Sequence, residues 1–167
     1  MSDLERLADR IAIQDVLCRY ARGIDRCDEQ LLRGVWWPGA EVDYGSGFSD
    51  AGEWSAGVVV ALGTMRRTQH FLGNMLIDID GDRATAETYC RAYHEVDGTD
   101  APQEMEVGGR YLDKLEKRGG EWRIANRRYV HDWNRNNAST AAWDGPMYGT
   151  LTRVGARQPN DPSYTGA

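Results

Sequence analysis

Residues 68–96, TQHFLGNMLIDIDGDRATAETYCRAYHEV, decide the fold class of this chain. Thr68 to Ile79 is rich in β-formers and reads as one long strand, and Asp80-Gly81-Asp82 is a tight hairpin turn. Arg83 to Val96 is its antiparallel partner. Along it Ala84, Ala86, Thr88, Cys90 and Ala92 fall on one face, with Thr85, Glu87, Tyr89, Arg91 and Tyr93 on the other. A face of small residues lets a second layer approach closely, so helices are expected to cover it.

Downstream the chain stays extended. Asp97 to Gln103 is a loop, and Glu104 to Lys117 and Trp122 to Asn134 form a second hairpin across Arg118-Gly119-Gly120-Glu121. Beyond Trp133 the patterns fade, and residues 136–167 are expected to be an irregular tail that folds over the domain or onto a neighbour. Upstream the chain is helical. Ser2 and Glu5 make a capping box, and Leu4, Leu7, Ala8, Ile11, Ala12 and Cys18 recur at helical spacing opposite Glu5, Arg6, Asp9, Arg10 and Asp15. This helix is predicted to run to about Arg22 and to end at Gly23. Asp28 can cap a shorter helix through Leu31, Leu32, Val35 and Trp36, stopped by Pro38. Ala40 to Tyr44 is a short strand, Gly45 to Gly52 a loop, and Glu53 to Arg67 a third helix whose valine run is also compatible with a strand.

Helices first and antiparallel strands afterwards define an α+β domain with helices on one face of a curved sheet, a geometry that encloses a cone-shaped cavity. With 167 residues there is chain enough for one such domain and its core, placed at residues 1–135 with the tail appended. The net charge of −6 with dispersed basic residues argues against nucleic acid, and no apolar run is long enough to span a membrane. Cys18, Cys27 and Cys90 form no CxxC and leave an odd number, which fits reduced thiols in a cytoplasm. Six Trp and eight Tyr are enough to line an apolar pocket, a core or a subunit interface.

Chemistry concentrates on Tyr20-Ala21-Arg22-Gly23-Ile24-Asp25. Asp25 stands just past the expected helix end beside apolar Ile24, and His70 lies on the long strand. Singly, each has a plain structural reading, as a cap or surface charge and as a satisfied core histidine. Together they could be an Asp that orients a His, the smallest unit of general acid–base catalysis. Arg127, Tyr129 and His131 share one face of the last strand, so all three point inward or all outward unless a bulge intervenes. His94 shares the face of Cys90 and Ala92 and is placed at the rim. No tight His/Asp/Glu spacing suggests a metal, and no GxGxxG, P-loop or GxSxG element is present.

The run Leu4-x-x-Leu7-Ala8-x-Arg10-x-Ala12-Ile13-Gln14-Asp15, Asp25, Trp36-Trp37 before Ala40-Glu41, and Gln69-His70-x-x-Gly73-Asn74 resemble the SnoaL-like branch of the NTF2-like family. The likeness spans about Asp3 to Asn134 and is nearest to the γ-hexachlorocyclohexane dehydrochlorinases, with scytalone and bile-acid 7α-dehydratases as relatives. It implies an NTF2-like (cystatin-like) cone with a mixed, mainly antiparallel sheet, and an elimination catalyst that needs no cofactor. It implies His70 as catalytic base, Asp25 as the carboxylate that orients it, Arg127 as an active-site arginine, and Tyr20 and Tyr44 as pocket tyrosines. His131 is added as a substrate contact from the shared strand face.

The expected function is thus a lyase, a dehydratase or dehydrohalogenase, acting on a small apolar cyclic substrate. Isomerase or polyketide-cyclase chemistry on the same acid–base pair is the second reading, and a non-catalytic ligand-binding module the third. Family members are commonly dimers or trimers, which makes a homo-oligomer, trimer or dimer, the expected assembly.

Overall fold

A computed structural model describes residues 2–166. The order of elements is α1 (Asp3–Asp25), α2 (Glu29–Gly34), β1 (Trp36–Asp43), β2 (Phe48–Asp50), α3 (Ala51–Gly63), β3 (Arg67–Asp80), β4 (Arg83–Val96), β5 (Gln103–Arg118), β6 (Glu121–Ala138), α4 (Gly145–Tyr148) and α5 (Pro162–Thr165). The strands form one six-stranded sheet in the order β2-β1-β6-β5-β4-β3. Every neighbouring pair is antiparallel except β1 with β6, which run parallel. The result is an open α+β cone with α1, α2 and α3 on the concave face of a mixed sheet.

The curvature has identifiable causes. In β3 the pairing steps from Leu72↔Cys90 to Met75↔Thr88, so Gly73 and Asn74 supply one extra residue against β4. In β6 two further bulges lie opposite the Gly108/Gly109 and Lys114/Leu115 steps of β5. Each bulge sharpens the local twist and wraps the sheet around the helices. The Arg83–Val96 strand turns its small residues inward as its alternation predicts, with Ala84, Ala86, Thr88, Cys90 and Ala92 all buried. Ile13, Val16, Leu17, Tyr20 and Ile24 of α1 lie in the same core as this face, together with Ile77, Tyr111, Leu115 and Ile124.

Helix α1 presents a different face from the one its N-terminal leucines suggest. Leu4, Leu7 and Ile11 are 77%, 54% and 52% exposed, while Asp9 is buried. The Asp9 carboxylate accepts bonds of 2.8 Å from the Lys117 ammonium and of 2.8 Å from the Trp122 indole N–H. Burial raises its carboxyl, but these two donors outweigh it and hold it below the ordinary carboxylate range. The capping box of Ser2 and Glu5 is present.

Gly23 does not end α1, which continues to Asp25. A Cβ at Gly23 would stand 3.1 Å from the Leu32 backbone nitrogen, so the glycine exists to let α1 and α2 approach. The turn itself falls to Cys27 at φ 50°. Further boundaries move, and the third helix, expected to reach Arg67, ends at Gly63 before Arg67 opens β3. Helix α2 stops at Gly34, and Trp36 opens β1, because its neighbour Val35 accepts a bond from the Ile124 N–H of β6. Part of the glycine-rich 45–52 stretch is β2, and α3 starts at Ala51 under an Asp50 cap. The tail is not wholly irregular, since β6 runs on to Ala138 and α4 and α5 each form one turn.

Candidate active site

Asp25 is the last residue of α1, and β3 lies alongside it. The Asp25 carboxylate receives two bonds from one residue: Oδ2 accepts the backbone N–H of His70 at 2.8 Å, and Oδ1 accepts the ring Nδ1 at 2.8 Å. Both side chains are largely buried, 8% exposed for His70 and 12% for Asp25. Burial pushes the Asp25 carboxyl up. The His70 side-chain bond, the imidazole's charge and the backbone N–H together exceed that effect and hold it below its usual value. An ionised Asp25 fixes the proton on Nδ1 and leaves the lone pair of Nε2 free, and among the described residues Nε2 makes no hydrogen bond.

His94 of β4, placed at the rim by its strand phase, stands edge-on to His70 with ring centroids 5.4 Å apart. Burial, then the proximity of His70, pull it down to about 4, so it is neutral at pH 7. Its buried Nδ1 has no partner among the described residues. A groove of about 1040 Å³ reaches Asp25 and His70, lined also by Met65 and Thr68 and by tail residues including Trp143, Leu151 and Arg157.

Tyr20, Tyr44 and Arg127 meet, but in a second cluster that does not line this groove. Arg127 is fully buried and donates from Nε and Nη2 to the two oxygens of Asp113 at 2.6 and 2.7 Å. Its guanidinium lies 3.8 Å from the Tyr20 ring centroid and 4.0 Å from that of Tyr111. Burial opposes its charge, and Asp113 more than restores it. The Tyr20 and Tyr44 hydroxyls are hydrogen-bonded to each other. Tyr44 stacks between Trp54 and Tyr129, at 4.9 and 5.2 Å. Burial raises the phenols of Tyr20 and Tyr111, so both remain protonated. His131 continues the line of Tyr129 with centroids 6.3 Å apart, yet it is exposed at the rim and bonded to the Asn134 amide at 3.0 Å.

Two residues of this neighbourhood escape sequence reasoning. Asp113 is the cross-strand partner of Arg127, which only the β5–β6 register reveals. Arg157 lies in the tail and carries no pattern at all. Among the described residues no group of three or more His, Cys, Asp or Glu side chains is arranged to hold a metal ion.

The α+β cone is a fold shared with known proteins. The sequence profile of the SnoaL-like domain matches residues 5–128, and the chain belongs to that family. It is 28% identical over 131 residues to hexachlorocyclohexane dehydrochlorinase 1 of Sphingobium indicum, covering 75% of this chain and 82% of that one. The crystal structure of a hexachlorocyclohexane dehydrochlorinase from Novosphingobium barchaimii superimposes with a TM-score of 0.74 at 23% identity, over 87% of this chain and 100% of the other. A scytalone dehydratase-like protein of Novosphingobium aromaticivorans gives 0.70 at 21% identity, over 82% and 93%.

Proposed function

We propose that this protein is a cofactor-independent lyase, a dehydratase or dehydrohalogenase, acting on a small apolar cyclic substrate. The observation that carries the reading is the doubly bonded Asp25–His70 pair with Nε2 unpartnered beside a groove. Nε2 takes a proton from carbon, the C–H electron pair becomes the new double bond, and hydroxide or halide leaves the adjacent carbon. Asp25 stabilises the imidazolium so formed. Tyr44, Tyr20 and the cation of Arg127 lie in a separate cluster outside this groove and are given no part in the departure of the leaving group. The family's dehydrochlorinase relative supports elimination as the reaction type.

The protein works as a homo-oligomer, a trimer or dimer. Supporting this are the exposed Leu4, Leu7 and Ile11 of α1 and, on the outer sheet face, Phe71, Tyr89 and Trp133 at 68%, 48% and 45% exposure. The three free thiols suit a reducing cytoplasm.

The test is incubation of the protein and a His70→Ala variant in D2O with a panel of cyclic alcohols, ketones and halides, reading deuterium uptake and product mass together. His70-dependent loss of water or halide is the expected result. Exchange or isomerisation without loss would replace the lyase with an isomerase or cyclase. Equal ligand binding by both proteins with no chemistry would leave a binding module.

A further inference from the structure

The segment that follows β6 lies outside the residues matched by the family profile, yet it is bolted to the candidate site. Arg157 Nη1 donates to the Asp25 carbonyl at 2.5 Å and to the Thr68 hydroxyl at 2.6 Å. Its Nη2 donates to the carbonyls of Leu62 and Met65 at 3.0 and 3.3 Å. One guanidinium therefore gathers carbonyls at the C-terminal ends of α1 and α3 and joins them to β3, two residues before His70. A cation is favoured at a helix C-terminus, although the Leu62 carbonyl also accepts the Met65 N–H at 3.1 Å. A planar fork with five donors can reach four oxygens on three elements, which an ammonium cannot.

The strap around Arg157 is closed on both sides of it. The Gln158 N–H donates to the Arg26 carbonyl at 2.8 Å, and Arg26 pairs with buried Asp161 at 3.1 Å. The Asp161 carboxylate in turn accepts the Ala156 N–H at 2.9 Å. The Tyr164 hydroxyl donates to Asp28 at 2.8 Å, and the Arg22 guanidinium lies 4.6 Å from the Tyr164 ring centroid. All these partners flank Asp25 in sequence, so the strap grips the turn that delivers the carboxylate.

We infer that Arg157 is a positioning residue for the Asp25–His70 pair: it holds the Asp25 main chain against β3, so that the carboxylate meets both the backbone and the ring of His70. The inference rests on the reading of that pair as the reacting groups, but the geometry it asserts is measurable without any substrate. A side chain held on one end only, by His70, has freedom to rotate. Held at the backbone as well, it keeps one arrangement, and misplacement of a reacting group costs rate far more than binding.

The experiment uses the full chain labelled with nitrogen-15 histidine, as wild type, Arg157→Ala and Arg157→Lys, with His70→Ala to assign the His70 signals. Thermal midpoints are recorded for each. In the wild type the Nδ1 proton of His70 is expected far downfield, with nitrogen shifts of a single tautomer. In Arg157→Ala that proton should broaden or vanish and the two nitrogens shift toward a tautomer mixture. Arg157→Lys should lie between, and added guanidinium should restore part of the wild-type spectrum to the Ala variant. With a substrate in hand, kcat should fall about ten- to hundredfold and KM much less. An unchanged His70 spectrum in a folded Ala variant would overturn the inference. If the Ala variant does not fold, an unchanged spectrum in Arg157→Lys, which keeps the charge but not the fork, would overturn it equally. A wild type with no activity on any substrate would count against the lyase alone, while the spectra still decide the role of Arg157.

Discussion

Asp25 binds His70 twice, once through the ring and once through the backbone N–H of the same residue. The second bond sets the position of the carboxylate relative to the strand, and the first then sets the ring. A carboxylate tied only to the imidazole would follow its rotations. Here the main chain of β3 is the reference frame for both.

Replacing Asp25 with Asn keeps an acceptor for the His70 N–H, so the fold should persist. An amide in place of the carboxylate no longer fixes the proton on Nδ1 and offers no charge to the imidazolium. Activity should fall by about 10²–10⁴-fold. Deuterium exchange into substrate, followed beside a circular dichroism melt, separates the chemical loss from any structural one.

Arg127 and Asp113 form a pair with both side chains wholly buried. Removing one partner strands the other charge in the core. Arg127→Met and Asp113→Leu should each cost about 3–5 kcal/mol, and the double variant Arg127→Met/Asp113→Leu much less than the sum. Urea unfolding of the four proteins closes the cycle. Additive losses would mean that the two groups do not interact.

His94 predicts a pH dependence of stability. Its folded value of about 4 lies below the ordinary 6.5, so the unfolded chain binds more protons between these limits. Stability from this group is full above pH 6.5, declines as the pH falls toward 4, and levels off below. The loss is on the order of 3 kcal/mol. His94→Gln should flatten that stretch of the stability profile in urea titrations at successive pH. The depressed Asp25 carboxyl acts lower on the scale, its contribution lost as the pH falls below the ordinary carboxylate range.

Gly23→Ala sets two effects against each other. Alanine in a helix interior gains up to about 1 kcal/mol over glycine. The new methyl would meet Leu32 Cβ and backbone N at 3.1 Å and Cα at 3.2 Å, atoms that cannot swing aside. Overpacking of that kind costs about 1–3 kcal/mol, so net destabilisation is expected. A raised urea midpoint would show that α2 can retreat.

The hairpin at residues 68–96 was legible because alternation and a turn signal are local. The small-residue face of β4 is buried as its period requires. The pair Asp25 and His70 was legible through family resemblance together with a chemical rule about which residue types work together. By contrast, the leucine and isoleucine stripe of Leu4, Leu7 and Ile11 looked like the core face and is exposed, while Asp9 is inside. Helical periodicity finds a stripe but cannot say what covers it. Buried Asp9 is tolerated because Lys117 and Trp122, more than a hundred residues away, donate to it.

The sequence alone determined the α+β class, the strand hairpins and the residue types able to move a proton, since these depend on periodicity, turn chemistry and side-chain identity. The tertiary structure decided which of them meet. The β5–β6 register put Asp113 beneath Arg127, burying a cation that the strand pattern could only place on a face. The return of the tail put Arg157 on the Asp25 carbonyl across 132 positions of sequence. Such contacts arise from chain closure, and no local pattern records where a distant segment comes back.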